Sequence, residues 1–316
     1  MTLWTKYFAL ITLFFSLVAC TGKKGHRDII VFHAGSLSVP LKEAATEYQK
    51  RNPEVSVLLE SAGSLVCARK VTELKKPCDI VASADYFVIN ELLVPAYSSW
   101  GLKFASNRIV IAFTPKSKYA SLIDTTNWIE ILMKDDVIYS RSDPDSDPCG
   151  YRSVMVMKLA EKYFHRPGLA DKMQAKNKDY VRPKEVDLIA LLESNTIDYM
   201  FQYKSVAIQH NLKYIELPAA ISLGDPSMND NYKTVSTEVA GTAPGSRMKV
   251  TGEYINYSLT VLDNAPQRSE ALKFTEFLLS DEGMMIFRKN GQEPLIPATS
   301  DQAEKVPAEL KKYLSR

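Results

Sequence analysis

Asp28-Ile29-Ile30-Val31-Phe32-His33 is a short apolar run that breaks at the small-residue turn Ala34-Gly35-Ser36. A run of this length bounded by such a turn reads as a buried strand. Ser38 can then cap a helix with Pro40 in its first turn. Leu41, Ala44, Ala45 and Tyr48 follow at helical spacing, and Asn52-Pro53 ends the pattern. Val55 to Leu59 reads as a second strand, closing at Ser61-Ala62-Gly63-Ser64. A helix is expected from Leu65 to Lys76, with Cys67, Val71 and Leu74 on one stripe, and Cys78 to Ala82 is a third strand. Strand and helix alternating in this way imply an α/β fold with a mostly parallel sheet flanked by helices.

Working outward, Arg108 to Phe113 is another buried strand, and Thr114-Pro115 marks the expected crossing into a second lobe. There the alternation resumes, with strands over Val137 to Tyr139 and Tyr199 to Tyr203 and helices over Tyr151 to Phe164 and Lys184 to Glu193. Near Tyr232 the chain turns to the alternating segments Thr234 to Val239 and Tyr254 to Leu262, then to helices over Gln267 to Leu279 and Glu282 to Lys289. Two lobes with a chain that crosses twice fit this order. Lobe one takes residues 28–112 and 232–316, and lobe two takes residues 113–231.

The 316 residues suffice for two domains. A composition of 46% hydrophobic and 24% charged residues excludes a disordered chain or a coiled coil. Lys and Arg number 39 against 37 Asp and Glu, a net charge of +2 that offers nothing to nucleic acid. Residues 1–19 read as a signal peptide: Lys6 precedes the apolar run Tyr7 to Ala19, which is too short for a mature membrane span. Leu17-Val18-Ala19-Cys20 resembles a bacterial lipobox, implying cleavage before Cys20, acylation of its thiol and a polar tether over residues 20–27. The expected location is the cell envelope, lipid-anchored to the membrane and facing the periplasm or exterior. Cys67, Cys78 and Cys149 then remain, match no zinc spacing and read as buried free thiols.

Three turns share one design, in which a strand ends, small residues follow and a helix begins. They are Ala34-Gly35-Ser36, Ala62-Gly63-Ser64 and Asp147-Pro148-Cys149-Gly150. Ligands of open α/β sheets bind at the carboxyl ends of strands, where free amides and helix dipoles attract anions. The acidic stretch Ser142 to Gly150 fails as a calcium loop, because an EF-hand counted from Asp143 puts Pro148 and Val154 where Gly and Glu belong. Asp143 and Asp145 read instead as caps of local backbone. Catalysis has little material: the chain holds four histidines, Ser36 lies in no nucleophile elbow, and His33 ends an apolar strand. No enzyme is expected.

Taken together, His33-Ala34-Gly35-Ser36-Leu37, Glu60-Ser61-Ala62-Gly63-Ser64, Ala82-Ser83-Ala84-Asp85-Tyr86, Arg141-Ser142-Asp143-Pro144, Asp147-Pro148-Cys149-Gly150-Tyr151-Arg152, Arg182-Pro183-Lys184-Glu185 and Asp198-Tyr199 through Ala207 resemble the archaeal-type tungstate/molybdate-binding proteins of ABC importers. The resemblance runs in order from about residue 30 to 207 and is more diffuse afterwards. It implies a two-lobed type II periplasmic-binding-protein fold that captures tungstate or molybdate and delivers it to an ABC permease. It implies oxyanion binding by Gly35, Ser36, Ser64, Asp147, Pro148, Cys149, Glu185 and Tyr203. Asp147 and Glu185 would bind the tungsten or molybdenum centre itself, bringing its oxygens to six. The ion is cargo, so no cofactor is expected, and the receptor is expected to be a monomer. Related archaeal chains often carry a longer insertion between the Asp-Pro-Cys-Gly and Arg-Pro-Lys-Glu motifs, which is absent here.

Electrostatics constrains that implication. A carboxylate about 4 Å from a unit negative charge is repelled by about 4 kcal/mol at an effective dielectric near 20. Two carboxylates facing a dianion prevent binding unless oxygen-to-metal bonds outweigh the repulsion. Tungsten and molybdenum expand from four to six oxygens far more readily than sulfur or phosphorus, so such a pair would favour their oxyanions and repel sulfate and phosphate. Without coordination, Glu185 would merely complement a helix start behind Pro183, and Asp147 would be a turn residue. The competing readings are a sulfate or phosphate receptor using only amides and hydroxyls, and a secreted hydrolase.

Overall fold

The computed structural model describes residues 26–241 and 245–315. The signal peptide over 1–19, Cys20 and the tether as far as Gly25 lie outside the described residues. Arg27, expected to close the tether, instead opens the first strand.

Lobe one is built in the expected order: β1 (Arg27–Ala34), α1 (Ser38–Arg51), β2 (Val55–Ala62), α2 (Ser64–Thr72), β3 (Ile80–Ser83), α3 (Tyr86–Leu92) and β4 (Leu102–Ser106). Helix α2 stops short of Lys76, and Lys75 stands at φ 50°, a left-handed conformation that no helix continues through. Lobe two holds β5 (Ile109–Phe113), β6 (Tyr139–Ser140), α4 (Pro148–Tyr163), α5 (Leu188–Glu193), β7 (Tyr199–Tyr203), α6 (Lys204–Gln209), β8 (Lys213–Glu216) and the hairpin β9 (Ser236–Ala240) and β10 (Arg247–Thr251). The chain then returns to lobe one as β11 (Asn256–Val261), α7 (Arg268–Leu279), α8 (Asp281–Lys289) and β12 (Glu293–Thr299).

Both crossings differ from the boundaries expected at 112 and 232. Strand β5 is an inner strand of the second sheet, ordered β6-β7-β5-β8, so the outward crossing is Asn107-Arg108. The β9–β10 hairpin stays with lobe two, where Lys158 of α4 donates to the Ser236 carbonyl at 2.6 Å. The return crossing therefore falls between Thr251 and Asn256. Apolar patterning reports burial, and a strand buried in either lobe carries the same pattern.

The sheets are mixed, not mostly parallel. In the six-stranded sheet, ordered β12-β4-β11-β3-β1-β2, only the β1–β2 and β1–β3 pairs are parallel. Strand β11 runs antiparallel to β3 and β4, and β12 antiparallel to β4. In the second sheet β6–β7 is parallel, while β5 opposes both β7 and β8. A strand arriving from the other lobe must oppose those whose carboxyl ends point toward that lobe, which describes β11 in one sheet and β5 in the other. The carboxyl ends of β1, β2, β3, β6 and β7 consequently converge on the lobe interface.

Asn107 fastens the crossing, its amide donating to Ser205 Oγ at 2.7 Å and Tyr257 Oη at 3.0 Å. Cys67, Cys78 and Cys149 are all free and buried.

Candidate oxyanion site

Two single-turn 3-10 helices face each other across the interface, Gly35–Leu37 after β1 and Glu185–Asp187 ahead of α5. Their approach requires glycine. A Cβ on Gly35 would stand 2.8 Å from Glu185 Oε2 and 2.9 Å from Oε1, so any side chain there displaces the carboxylate. Gly63 meets lobe two in the same way, since a Cβ on it would collide with the backbone carbonyl of Ser146.

Asp147 occupies the N-cap of α4 with extended backbone, and its Oδ1 accepts the Cys149 amide at 3.3 Å. Its Oδ2 accepts the Glu185 amide at 2.9 Å. The plain capping role is therefore real, and it also ties one acidic residue to the backbone of the other. Each carboxylate oxygen keeps a second lone pair. Glu185 is fully buried, with no hydrogen-bond partner on either carboxylate oxygen. Its carbonyl accepts the Gln202 amide at 3.0 Å, which holds the turn against β7.

Hydroxyls complete the surroundings. Ser36 Oγ accepts from Tyr257 Oη at 2.9 Å, and Ser64 Oγ accepts from the Ala84 amide at 3.0 Å, so each serine retains its own proton to donate. Tyr203 Oη and Ser142 Oγ are buried without partners. Buried polar atoms are nearly always paired, because an orphaned one costs about 1–3 kcal/mol. Of the four such atoms on Ser142, Glu185 and Tyr203, the Ser142 and Tyr203 hydroxyls can donate to the oxygens of an anion, whereas the two Glu185 oxygens can only accept a proton or bond a metal centre.

Burial, and after it the charge of Glu185, hold the Asp147 carboxyl well above the usual carboxylate range. Burial pushes Glu185 up as well. The donor set fits a metal oxyanion: two carboxyl groups able to bond a metal centre on losing their protons, and neutral hydroxyls able to donate to its oxygens.

Gly35, next to Ser36, lies against Glu185; Gly63, next to Ser64, lies against Asp147; and Tyr203 ends β7. The Cys149 thiol is turned to the Phe201 carbonyl at 3.9 Å and Gln202 Oε1 at 3.8 Å, so within the Asp147-Pro148-Cys149 segment the carboxylate is the group presented to Glu185. Asp143 caps local groups, accepting the Asp145 amide at 3.0 Å and Ser146 Oγ at 2.9 Å. Asp145 does not: its carboxylate receives the Ala240 amide and the Arg247 guanidinium, both at 2.8 Å, and holds the β9–β10 hairpin. His33 is buried beside the Ala34 carbonyl, and burial lowers its pKa to about 4, leaving a neutral structural imidazole.

Sequence reading missed Tyr257, Ser142 and Asn107. Tyr257 lies in an alternating segment that looks like any strand, and Ser142 hides in a stretch dominated by aspartates.

Residues 29–293 match the family described as bacterial extracellular solute-binding protein. This chain belongs to that family. The molybdate/tungstate-binding protein WtpA of Pyrococcus abyssi is 43% identical to it over 337 residues, covering 96% of this chain and 96% of the relative. WtpA of Thermococcus kodakarensis is 44% identical over 310 residues, covering 90% and 86%. An uncharacterized solute-binding protein of Petrotoga mobilis is 45% identical over 291 residues, covering 91% and 90%. Among solved structures, the periplasmic molybdate-binding protein of Azotobacter vinelandii superposes with a TM-score of 0.61 at 15% identity, covering 85% of this chain and 99% of that one. At that identity the likeness shows the two-lobed fold alone. Among the described residues of this solute-binding protein, no helix is long and apolar enough to cross a membrane.

Proposed function

We propose that this solute-binding protein captures tungstate or molybdate between its lobes and hands it to an ABC permease. The observation that carries this reading is the pair Asp147 and Glu185, fully buried side by side with both Glu185 carboxylate oxygens unpartnered. A receptor for sulfate, which carries no proton at neutral pH, gains nothing from such a pair, since each carboxylate opposes the ion by several kcal/mol. A centre that accepts two further oxygens turns the same pair into ligands. The WtpA names carried by relatives at 43% and 44% identity support this choice of ion. Ser36 and Ser64 would donate to the ion's oxygens from lobe one, with Tyr203 donating from lobe two.

We further assign residues 1–19 as a cleaved leader and Cys20 as the acylated anchor of a monomer held at the membrane, facing the periplasm or exterior. Isothermal titration of the purified protein with tungstate, molybdate and sulfate tests the ligand. Tight binding of the first two, with sulfate weaker by at least a hundredfold, is expected. Sulfate binding as tightly as tungstate would instead assign an ordinary tetrahedral-anion receptor.

A further inference from the structure

A second set of charges is sealed from water across the lobe boundary, apart from the two acids already described. Asp85 caps α3 in lobe one, its Oδ1 accepting the Phe87 amide at 3.1 Å. Its Oδ2 reaches lobe two, accepting Tyr151 Oη at 2.7 Å and Arg152 Nε at 2.8 Å, with Arg152 Nη2 at 2.5 Å. The pair is shut away, Asp85 at 0% and Arg152 at 1% side-chain exposure. Arg152 Nη1 also donates to the Glu253 carbonyl at 3.1 Å, inside the return crossing.

As a device for stability alone, a buried ion pair is poor, because desolvation offsets most of its attraction. Its placement suggests a different use. Tyr151 and Arg152 lie in the opening turns of α4, the helix whose cap is Asp147. Asp85 belongs to the other lobe, so the three-residue cluster spans the lobe boundary. Resting on the proposal that the ion is held between the lobes, we infer that Asp85 is a positioning residue for oxyanion capture. Through Tyr151 and Arg152 it clasps the start of α4 to lobe one, keeps the Asp147 and Glu185 side of the site shut against Gly35 and Gly63, and slows release of the ion. The Arg152 charge is spent on Asp85 and adds nothing to the pull on the anion.

Stopped-flow tryptophan fluorescence with tungstate, on wild type, Asp85→Asn, Arg152→Gln and the double variant, tests this. The two single variants leave opposite charges behind. A clasp predicts dissociation at least tenfold faster in both, with association within threefold of wild type and a larger fall in melting temperature with tungstate bound than without it. If the pair acted through its field on the anion, Asp85→Asn would slow release while Arg152→Gln sped it, and the inference would be overturned. Unchanged dissociation, or an equal fall in melting temperature with and without ion, overturns it too. The double variant leaves no net buried charge and serves if a single variant fails to fold. The wild-type trace judges tungstate capture by itself. Should wild type take molybdate or sulfate instead, the same variants are read with that ion, so the clasp and the ligand assignment fail separately.

Discussion

Replacing Glu185 by glutamine separates coordination from mere proximity, because the two give changes of opposite sign. The substitution is nearly isosteric, and neither carboxylate oxygen has a protein partner to lose. Asp147 is less clean, since both its oxygens already accept backbone amides. If Glu185 is only a neighbouring charge, neutralising it removes about 4 kcal/mol of repulsion per unit charge at about 4 Å, and tungstate tightens by up to about three orders of magnitude. If Glu185 is a ligand, an anionic oxygen donor becomes a weak amide donor, and binding falls by well over tenfold, more than about 1.4 kcal/mol. Sulfate has no expanded coordination to lose and should not weaken in parallel. We expect the loss for tungstate, read by isothermal titration of wild type and Glu185→Gln with both ions. Tungstate bound equally or more tightly by the variant would refute coordination.

Further outcomes are expected from the buried acids, from the Gly63 contact and from the sequence at Cys20. Asp147 and Glu185 have raised pKa values, so the folded protein keeps protons that the unfolded chain has already lost. Ligand-free stability should therefore fall as pH climbs from the ordinary carboxylate range through the raised values. Melting curves against pH should show this slope, and Glu185→Gln should flatten it; coordination also expels the retained proton, so titrations in two buffers should report proton release, whereas uptake contradicts it. Gly63→Ala puts a methyl on the Ser146 carbonyl; small-angle scattering should then show no tungstate-induced compaction and titration at least tenfold weaker binding, while wild-type compaction would show that the contact yields. Cys20→Ser should release the protein from the membrane fraction or block its processing, and an unmodified Cys20 in the mass spectrum of the wild-type N-terminal peptide would contradict the anchor.

Much of this protein was determined locally. Asp28 to Ala82 specifies strand, helix and turn through hydrophobic period, a proline in the first helical turn and small residues at each strand end, all of which act within a few residues. The oxyanion turns were legible for the same reason: Gly35, Ser36, Gly63 and Ser64 end strands, and strand ends are where a sheet meets its ligand. Glu185 became a candidate through resemblance, since a glutamate behind Pro183 looks like any helix start. Only the tertiary structure decided which lobe owns β5, because burial in either sheet leaves the same apolar run. It alone made the sheets mixed, through β5 and β11, which arrive from the opposite lobe, and through β12, which runs against β4. Asp145 left its local turn for Arg247, about a hundred residues along the chain, and Asp85 found Arg152 across the interface. Such pairs have no period and no spacing. They exist because two lobes close, and closing brings together side chains that nothing in their own neighbourhoods connects.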